Sequence, residues 1–168
     1  MIKKKTSKLI RLSKKNNFTL SVAESCTGGL LSSSIIQESG ASNFFHMGFI
    51  TYSNKAKINI LSVNSNIIKK YGAVSEETAL EMVKGVYKKT KSDLSISITG
   101  VAGPRGGTKI NPVGTVCFGI GINCKGKPVI YKTIKKKFNL RTRIGIKKKS
   151  VIFVLDNLIE IILTHKFD

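Results

Sequence analysis

The sequence predicts an α/β protein, a three-layer α/β/α sandwich with a mixed, mostly parallel central sheet. Three observations carry that expectation. Short apolar runs of strand length alternate with segments of helical period through the first half of the chain. Two strand-like runs then follow one another around a short turn, the pattern of a hairpin. Both glycine-rich strings stand directly after apolar runs, where the loops of such a sheet hold ligands. A chain of 168 residues fits one domain, 1–168.

Each element has its own signal. Residues 3–16 read as a basic amphipathic helix with Leu9, Ile10 and Leu12 on one side. Residues 18–23 are a short apolar run ending at Glu24-Ser25-Cys26-Thr27-Gly28-Gly29. Leu30, Leu31, Ile35 and Ile36 recur at helical spacing, and Gly40 closes that helix. Residues 47–52 form the next strand, and Asn54 is the N-cap of a helix to about Leu61. Ser75 caps a further helix, with Glu76 and Glu77 where acids favour the helix dipole. Ala79, Leu80, Val83, Val86 and Tyr87 are its buried stripe. Leu94, Ile96 and Ile98 alternate with serines as a strand. Residues 115–122 and 129–134 read as two strands around a Lys125-Gly126 turn. A last helix runs from about Arg143 to Leu163, carrying Val151, Val154, Leu155 and Leu158.

The formal charge is +20. Clustered lysines release counterions from a phosphate backbone, so a polyanion partner is one reading. A lysine-rich solvated surface is the other, and the sequence favours it. The only arginines are Arg11, Arg105, Arg141 and Arg143, whereas base reading and planar phosphate recognition draw on arginine. The runs at 3–5, 135–137 and 147–149 also lack interleaved aromatics. No specific nucleic-acid partner is expected. Cys26, Cys117 and Cys124 give neither a disulfide framework nor metal spacing, and His46 and His165 stand apart. No metal is expected. The N-terminal lysines precede no apolar core of a secretory signal, and the stretch 151–163 is too short to span a bilayer. A cytoplasmic protein without a membrane partner is expected.

Ser25 follows a strand and precedes Gly28-Gly29 and a helix. Gly28 allows a sharp turn and close backbone approach to a ligand, and helix-start amides hold phosphates or oxyanions. This resembles the logic of a nucleophile elbow, although its G-x-S-x-G string is absent. Ser25 or Thr27 is equally readable as the N-cap of the next helix. A nucleophilic serine needs a base, and neither histidine is well placed. Lys57 is the alternative: third in its helix, it sits where the positive helix end disfavours the ammonium form. Its bland reading is an exposed surface lysine. The loop from Thr99 and Gly100 through Gly103 to Thr108 offers hydroxyls and backbone amides to a substrate, or is a long surface turn. Glu24 is an acid–base partner or neutralises a lysine.

Several strings together resemble the C-terminal domain family of the competence/damage-inducible protein CinA, which includes bacterial nicotinamide-nucleotide amidases. They are Ala23-Glu24-Ser25-Cys26-Thr27-Gly28-Gly29, Gly48 with Tyr52-Ser53-Asn54-Lys55-Ala56-Lys57, Tyr71-Gly72-Ala73-Val74-Ser75, and Thr99-Gly100-Val101-Ala102-Gly103-Pro104 with Pro112-Val113-Gly114-Thr115. The likeness spans residues 18–158. It implies hydrolysis of nicotinamide mononucleotide to nicotinic acid mononucleotide and ammonia in pyridine-nucleotide recycling, without metal or other cofactor. It implies Ser25 as nucleophile, Lys57 as base, and Tyr52 and Thr99 in the same pocket. The expected substrate-binding set is Thr27, Gly28, Tyr52, Thr99, Gly100, Gly103 and Arg143. A homodimer or larger homo-oligomer is also implied. The family's Gly-Asp-Arg segment is absent before the last helix; its first arginine falls on Arg143 and its second is replaced by Lys147. Asn111 stands where a lysine is common, and the N-terminal pyrophosphatase-type domain of larger relatives is not in this sequence. The altered segment motivates a second expectation, a catalytically impaired domain that binds a nucleotide or a partner.

Overall fold

In the computed structural model, residues 1–124, 127–140 and 142–167 are described, so the Lys125-Gly126 turn lies outside them. The elements are α1 (Ile2–Ser13), β1 (Leu20–Glu24), α2 (Leu30–Ile36), β2 (Phe45–Ile50), α3 (Asn54–Leu61), α4 (Ser65–Tyr71), α5 (Glu76–Thr90), β3 (Leu94–Gly100), β4 (Thr115–Ile122), β5 (Ile130–Lys137) and α6 (Arg143–Thr164). A 3₁₀ turn at Ala41–Asn43 precedes β2. The five strands form one sheet in the order β2-β1-β3-β4-β5. β1 pairs in parallel with both β2 and β3, and β4 runs antiparallel to β3 and β5. Four strands therefore share one direction, which is the mixed, mostly parallel sheet expected.

The layers follow from side-chain alternation along the strands. Leu20 and Val22 of β1 and Ile96 and Ile98 of β3 point to one face, where they join Leu9 of α1, Leu31 of α2 and Leu155 of α6. Ala23 points the other way, to a second core with Leu61 of α3, Ile68 of α4, and Met82 and Val86 of α5. Small residues keep that second face shallow. A Cβ built on Gly119 would lie 2.6 Å from the Ala79 carbonyl oxygen, so α5 lies almost on the strand backbone. The Ser97 hydroxyl donates to that same carbonyl at 2.6 Å. Helices thus cover both faces, and the carboxyl ends of β1, β2 and β3 meet on one rim of the sheet.

Some boundaries differ from the sequence reading. β2 begins at Phe45 and ends at Ile50, because pairing with residues 20–24 of β1 sets its extent. α2 stops at Ile36, short of Gly40, whose positive φ of 94° opens the 3₁₀ turn instead. Ser53, not Asn54, caps α3: its hydroxyl accepts the Ala56 amide at 3.0 Å. Lys57 is accordingly the fourth helical residue. Helix α4, capped by Asn64, was not expected.

Candidate active site

The turn after β1 is shaped from both sides. The Ser25 amide continues the ladder by donating to Ile98 O at 2.9 Å, and the Gly28 amide donates back to Ser25 O at 3.1 Å. Gly28 and Gly29 take φ of 59° and 88°, which a side chain would strain. Neither Ser25 nor Thr27 caps α2; the N-cap is Gly29, without a side-chain bond. Glu24 does that work. Its fully buried carboxylate accepts the Leu31 amide at 3.1 Å, the Ser32 amide at 2.8 Å and the Ser32 hydroxyl at 2.7 Å. Among the described residues Glu24 therefore pairs with no lysine, which was one of its two sequence readings, and the α2 amides of Leu31 and Ser32 suggested for an oxyanion are already occupied.

Lys57 enters from α3, one turn past the Ser53 cap. It is 1% exposed, which removes the surface-lysine reading. Its Nζ lies 3.1 Å from Ser25 Oγ, 3.1 Å from Thr51 O and 3.4 Å from Tyr52 O. Burial lowers its pKa from the ordinary 10.5, because the charged form loses its hydration. Three acceptors satisfy the ammonium; the neutral amine donates two hydrogens to the carbonyls and turns its lone pair to the serine hydroxyl. The adjoining Cys26 thiol is pushed up to about 12, chiefly by burial. It stands as a neutral thiol beside the pair.

Ser25 and Lys57 open on a cavity of about 320 Å³. Tyr52, Thr99, Gly100, Gly103 and Arg143 line it, as the sequence reading expected. Arg143, the first residue of α6, donates to Gly103 O at 2.7 Å and to the Tyr52 hydroxyl at 3.3 Å, bridging two walls. Thr99 lines the cavity but gives its hydroxyl to Ala73 O at 2.7 Å, which holds the 72–75 segment as a further wall. Two expected substrate contacts are not brought in. Thr27 is fully buried beneath the turn, its hydroxyl without a partner among the described residues, and Gly28 shapes the turn without lining the cavity. Arg105, Asn54, Ala73 and Val74 line it although the sequence reading did not select them. Asn54 and Val74 stood inside the quoted strings, and Arg105 was the one cation of the glycine-rich loop.

Lys147 follows Arg143 by one turn of α6, and its Nζ would lie 3.7 Å from a Cβ on Gly28. Asn111 ties its loop to the cavity wall through an amide donated to Val74 O at 2.9 Å. His46 and His165 do not line the cavity. Among the described residues no three His, Cys, Asp or Glu side chains gather as a metal would require, and no helix is long and apolar enough to cross a membrane.

Fold and site together define a three-layer α/β domain whose parallel strands end on a buried serine–lysine pair. The chain belongs to the CinA C-terminal domain family, whose model matches residues 2–162. It is 44% identical over 149 residues to a CinA-like protein of Kosmotoga olearia, covering 88% of this chain and 34% of that one. It is 50% identical over 114 residues to a CinA-like protein of Chloroherpeton thalassium, covering 68% and 27%. The chain thus spans about a third of the length of the curated relatives it matches. A crystal structure of a CinA superfamily protein from Klebsiella pneumoniae superposes with a TM-score of 0.89 at 29% identity, over 98% of this chain and 99% of that one. One from Escherichia coli superposes with a TM-score of 0.87 at 35% identity, over 96% and 90%.

Proposed function

We propose that this protein is an amidohydrolase that converts nicotinamide mononucleotide to nicotinic acid mononucleotide and ammonia. The observation that carries the reading is the Lys57 amine, buried, disfavoured as an ammonium, and 3.1 Å from the Ser25 hydroxyl at the cavity floor. A neutral amine there accepts the Ser25 proton as Oγ attacks the carboxamide carbon. The backbone amide of Cys26, which lines the cavity beside Ser25 and belongs neither to the sheet nor to α2, is the donor assigned to the developing oxyanion. As the tetrahedral intermediate collapses, the Lys57 ammonium protonates the amide nitrogen, the C–N bond breaks and ammonia leaves. The same amine then takes a proton from water, whose oxygen attacks the Ser25 ester; as the acyl C–Oγ bond breaks, Lys57 returns that proton to Ser25 Oγ and the acid leaves.

The nucleotide is held at its anionic end by Arg105 and Arg143, the arginines that line the cavity among the described residues. Arg143 is already oriented by Gly103 O and Tyr52. Lys147 adds charge a turn deeper, as a point cation in place of a bidentate fork.

Ammonia release from nicotinamide mononucleotide by the purified protein tests the reading. Activity is expected in the wild type and not in Ser25→Ala, with Lys57→Ala lowered roughly 10²–10⁴-fold. Folded protein that releases no ammonia yet binds the nucleotide would replace it with the binding-module reading. Turnover that survives Ser25→Ala would remove the nucleophile.

A further inference from the structure

One wall of the cavity is pinned carbonyl by carbonyl. Gly72 O accepts the Thr78 hydroxyl at 2.7 Å, Ala73 O the Thr99 hydroxyl at 2.7 Å, and Val74 O the Asn111 amide at 2.9 Å. Thr78 stands on α5 and Thr99 on β3. Asn111 stands on the glycine-rich loop between β3 and β4, so its bond ties one loop to another. Among the described residues no other side chain of that loop reaches the 72–75 segment by a hydrogen bond.

The loop is anchored at its two feet. The Val101 amide donates to Thr115 O and the Gly114 amide to Val101 O, each at 2.8 Å. Arg143 holds Gly103 O, and Val113 packs against the main core. Residues 104–110 between them are all exposed, and the tip closes on itself. There the Thr108 amide donates to Asn111 O at 3.0 Å, and the Asn111 amide to Thr108 Oγ1 at 2.9 Å. Arg105 lies in this exposed stretch and lines the cavity without an ion pair among the described residues. The outgoing limb rides on the returning one. A Cβ on Gly103 would lie 2.5 Å from Val113 Cγ1, and one on Gly107 2.9 Å from the Val113 nitrogen. Fixing Asn111 therefore places Arg105.

The Asn111 side chain makes its bond to Val74 O while its own oxygen is buried without a partner among the described residues. A buried acceptor left unpaired weakens a fold, so stability alone does not select asparagine here. We propose that Asn111 is a positioning residue: its amide latches the glycine-rich loop to the 72–75 wall and so holds Arg105 over the cavity. Ser25 and Lys57 are carried by the turn after β1 and by α3, which the latch does not touch. Loss of the latch therefore weakens the grip on the substrate's anionic end and spares the acyl chemistry. That kinetic consequence rests on the amidase reading; the latch itself does not.

Steady-state kinetics on nicotinamide mononucleotide and limited trypsin digestion, run on the same intact variants, test the proposal. Asn111→Leu has nearly the shape of asparagine but removes the donor and the unpaired oxygen together. With unchanged circular dichroism, it is expected to raise KM roughly tenfold, as loss of one oriented contact to a charged group does, and to leave kcat within about twofold. Without substrate, trypsin is expected to cut after Arg105 and Lys109 faster in this variant than in the wild type, read from fragment masses. Arg105→Ala raises KM by itself, and adding Asn111→Leu raises it little further, because one residue acts through the other. Asn111→Ala is the second variant, expected to behave alike if leucine disturbs the fold. Unchanged KM and cutting rates in the folded Asn111 variants would overturn the proposal, as would a fall in kcat at constant KM. Additive KM effects with Arg105→Ala would overturn the action through Arg105. A wild type that releases no ammonia would remove the amidase reading alone, since the trypsin comparison still decides the latch.

Discussion

A lysine nitrogen is an unusual base, and its protonation state decides what Ser25 can do. Burial holds the Lys57 pKa below 10.5, so in the interval between the folded and unfolded values the unfolded chain binds more protons than the folded one. Stability then rises with pH through that interval and is lost as pH falls. Lys57→Met removes the titrating group, and its urea-unfolding free energy is expected to gain on the wild type as pH is lowered from alkaline to neutral. A difference independent of pH would mean that the amine is not disfavoured by burial. Activity has the same sign: kcat/KM should climb with pH along a limb centred below the ordinary lysine value, as the lone pair becomes free. Glu24 supports the pair at one remove. In Glu24→Gln an amide group meets the Leu31 and Ser32 N–H donors, leaving buried donors unpaired at about 1–3 kcal/mol. The turn that carries Ser25 loosens, so kcat is expected to fall while KM changes little, in steady-state kinetics at saturating substrate. Ser25 and Lys57 were legible in the sequence because the strings that carry them resemble those of the family; their spacing alone left an N-cap and a surface lysine as open readings. Glu24's role was not, because a carboxylate at a strand end does not disclose which amides fold back to meet it. Thr27 misled for a related reason: a hydroxyl two residues from the nucleophile turns into the wall and not the cavity.

At the scale of elements, the site depends on how closely helices lie on the sheet. The hollow forms because three parallel strands end together while α3 and the 72–75 segment are pulled in above them. Close approach of α5 is what the small residues on the second sheet face permit, and Gly119 is the tightest point on that face. A methyl there would sit 2.5 Å from Ser97 Oγ and 2.6 Å from Ala79 O, so Gly119→Ala is expected to cost about 1–3 kcal/mol by overpacking. Guanidinium unfolding reads that loss as a lower midpoint with an unchanged slope. The strand and helix order was readable because apolar periods of two and of helical spacing alternate cleanly. α4 was not readable. Its one adjacent apolar pair, Ile67 and Ile68, shows no second pair a turn away as Leu30-Leu31 and Ile35-Ile36 do in α2, and the segment is helical because Ile68 is buried against the second core. β2 slid by two residues from its expected position for a similar reason: hydrogen bonding to β1 sets its ends, and hydropathy does not. The N-cap of α3 also moved by one, since Ser53 and Asn54 are both good caps and only the backbone geometry chooses between them.

The whole molecule has to fold against its own charge. The lysine runs lie on three elements, α1, β5 and α6. Against +20, the described residues form two ion pairs, Lys5 with Asp156 and Lys84 with Glu81. Exposed pairs of that kind contribute roughly 0–1 kcal/mol each. Salt acts on both terms at once: it screens the few attractions and the many repulsions. Repulsions dominate by number and reach, since a net charge of this size is felt across the molecule until the Debye length falls to about 10 Å near 0.1 M salt. The thermal midpoint is therefore expected to rise on adding sodium chloride up to that range, and calorimetry in dilute buffer with stepwise salt measures it. A midpoint that falls would show that specific ion pairs outweigh the net charge. The same surface is expected to bind DNA without regard to sequence and with a steep loss of affinity as salt rises, because spread lysines release counterions but read no base. Affinity that persists at high salt, or that discriminates between sequences, would require an organised nucleic-acid groove that reads base edges.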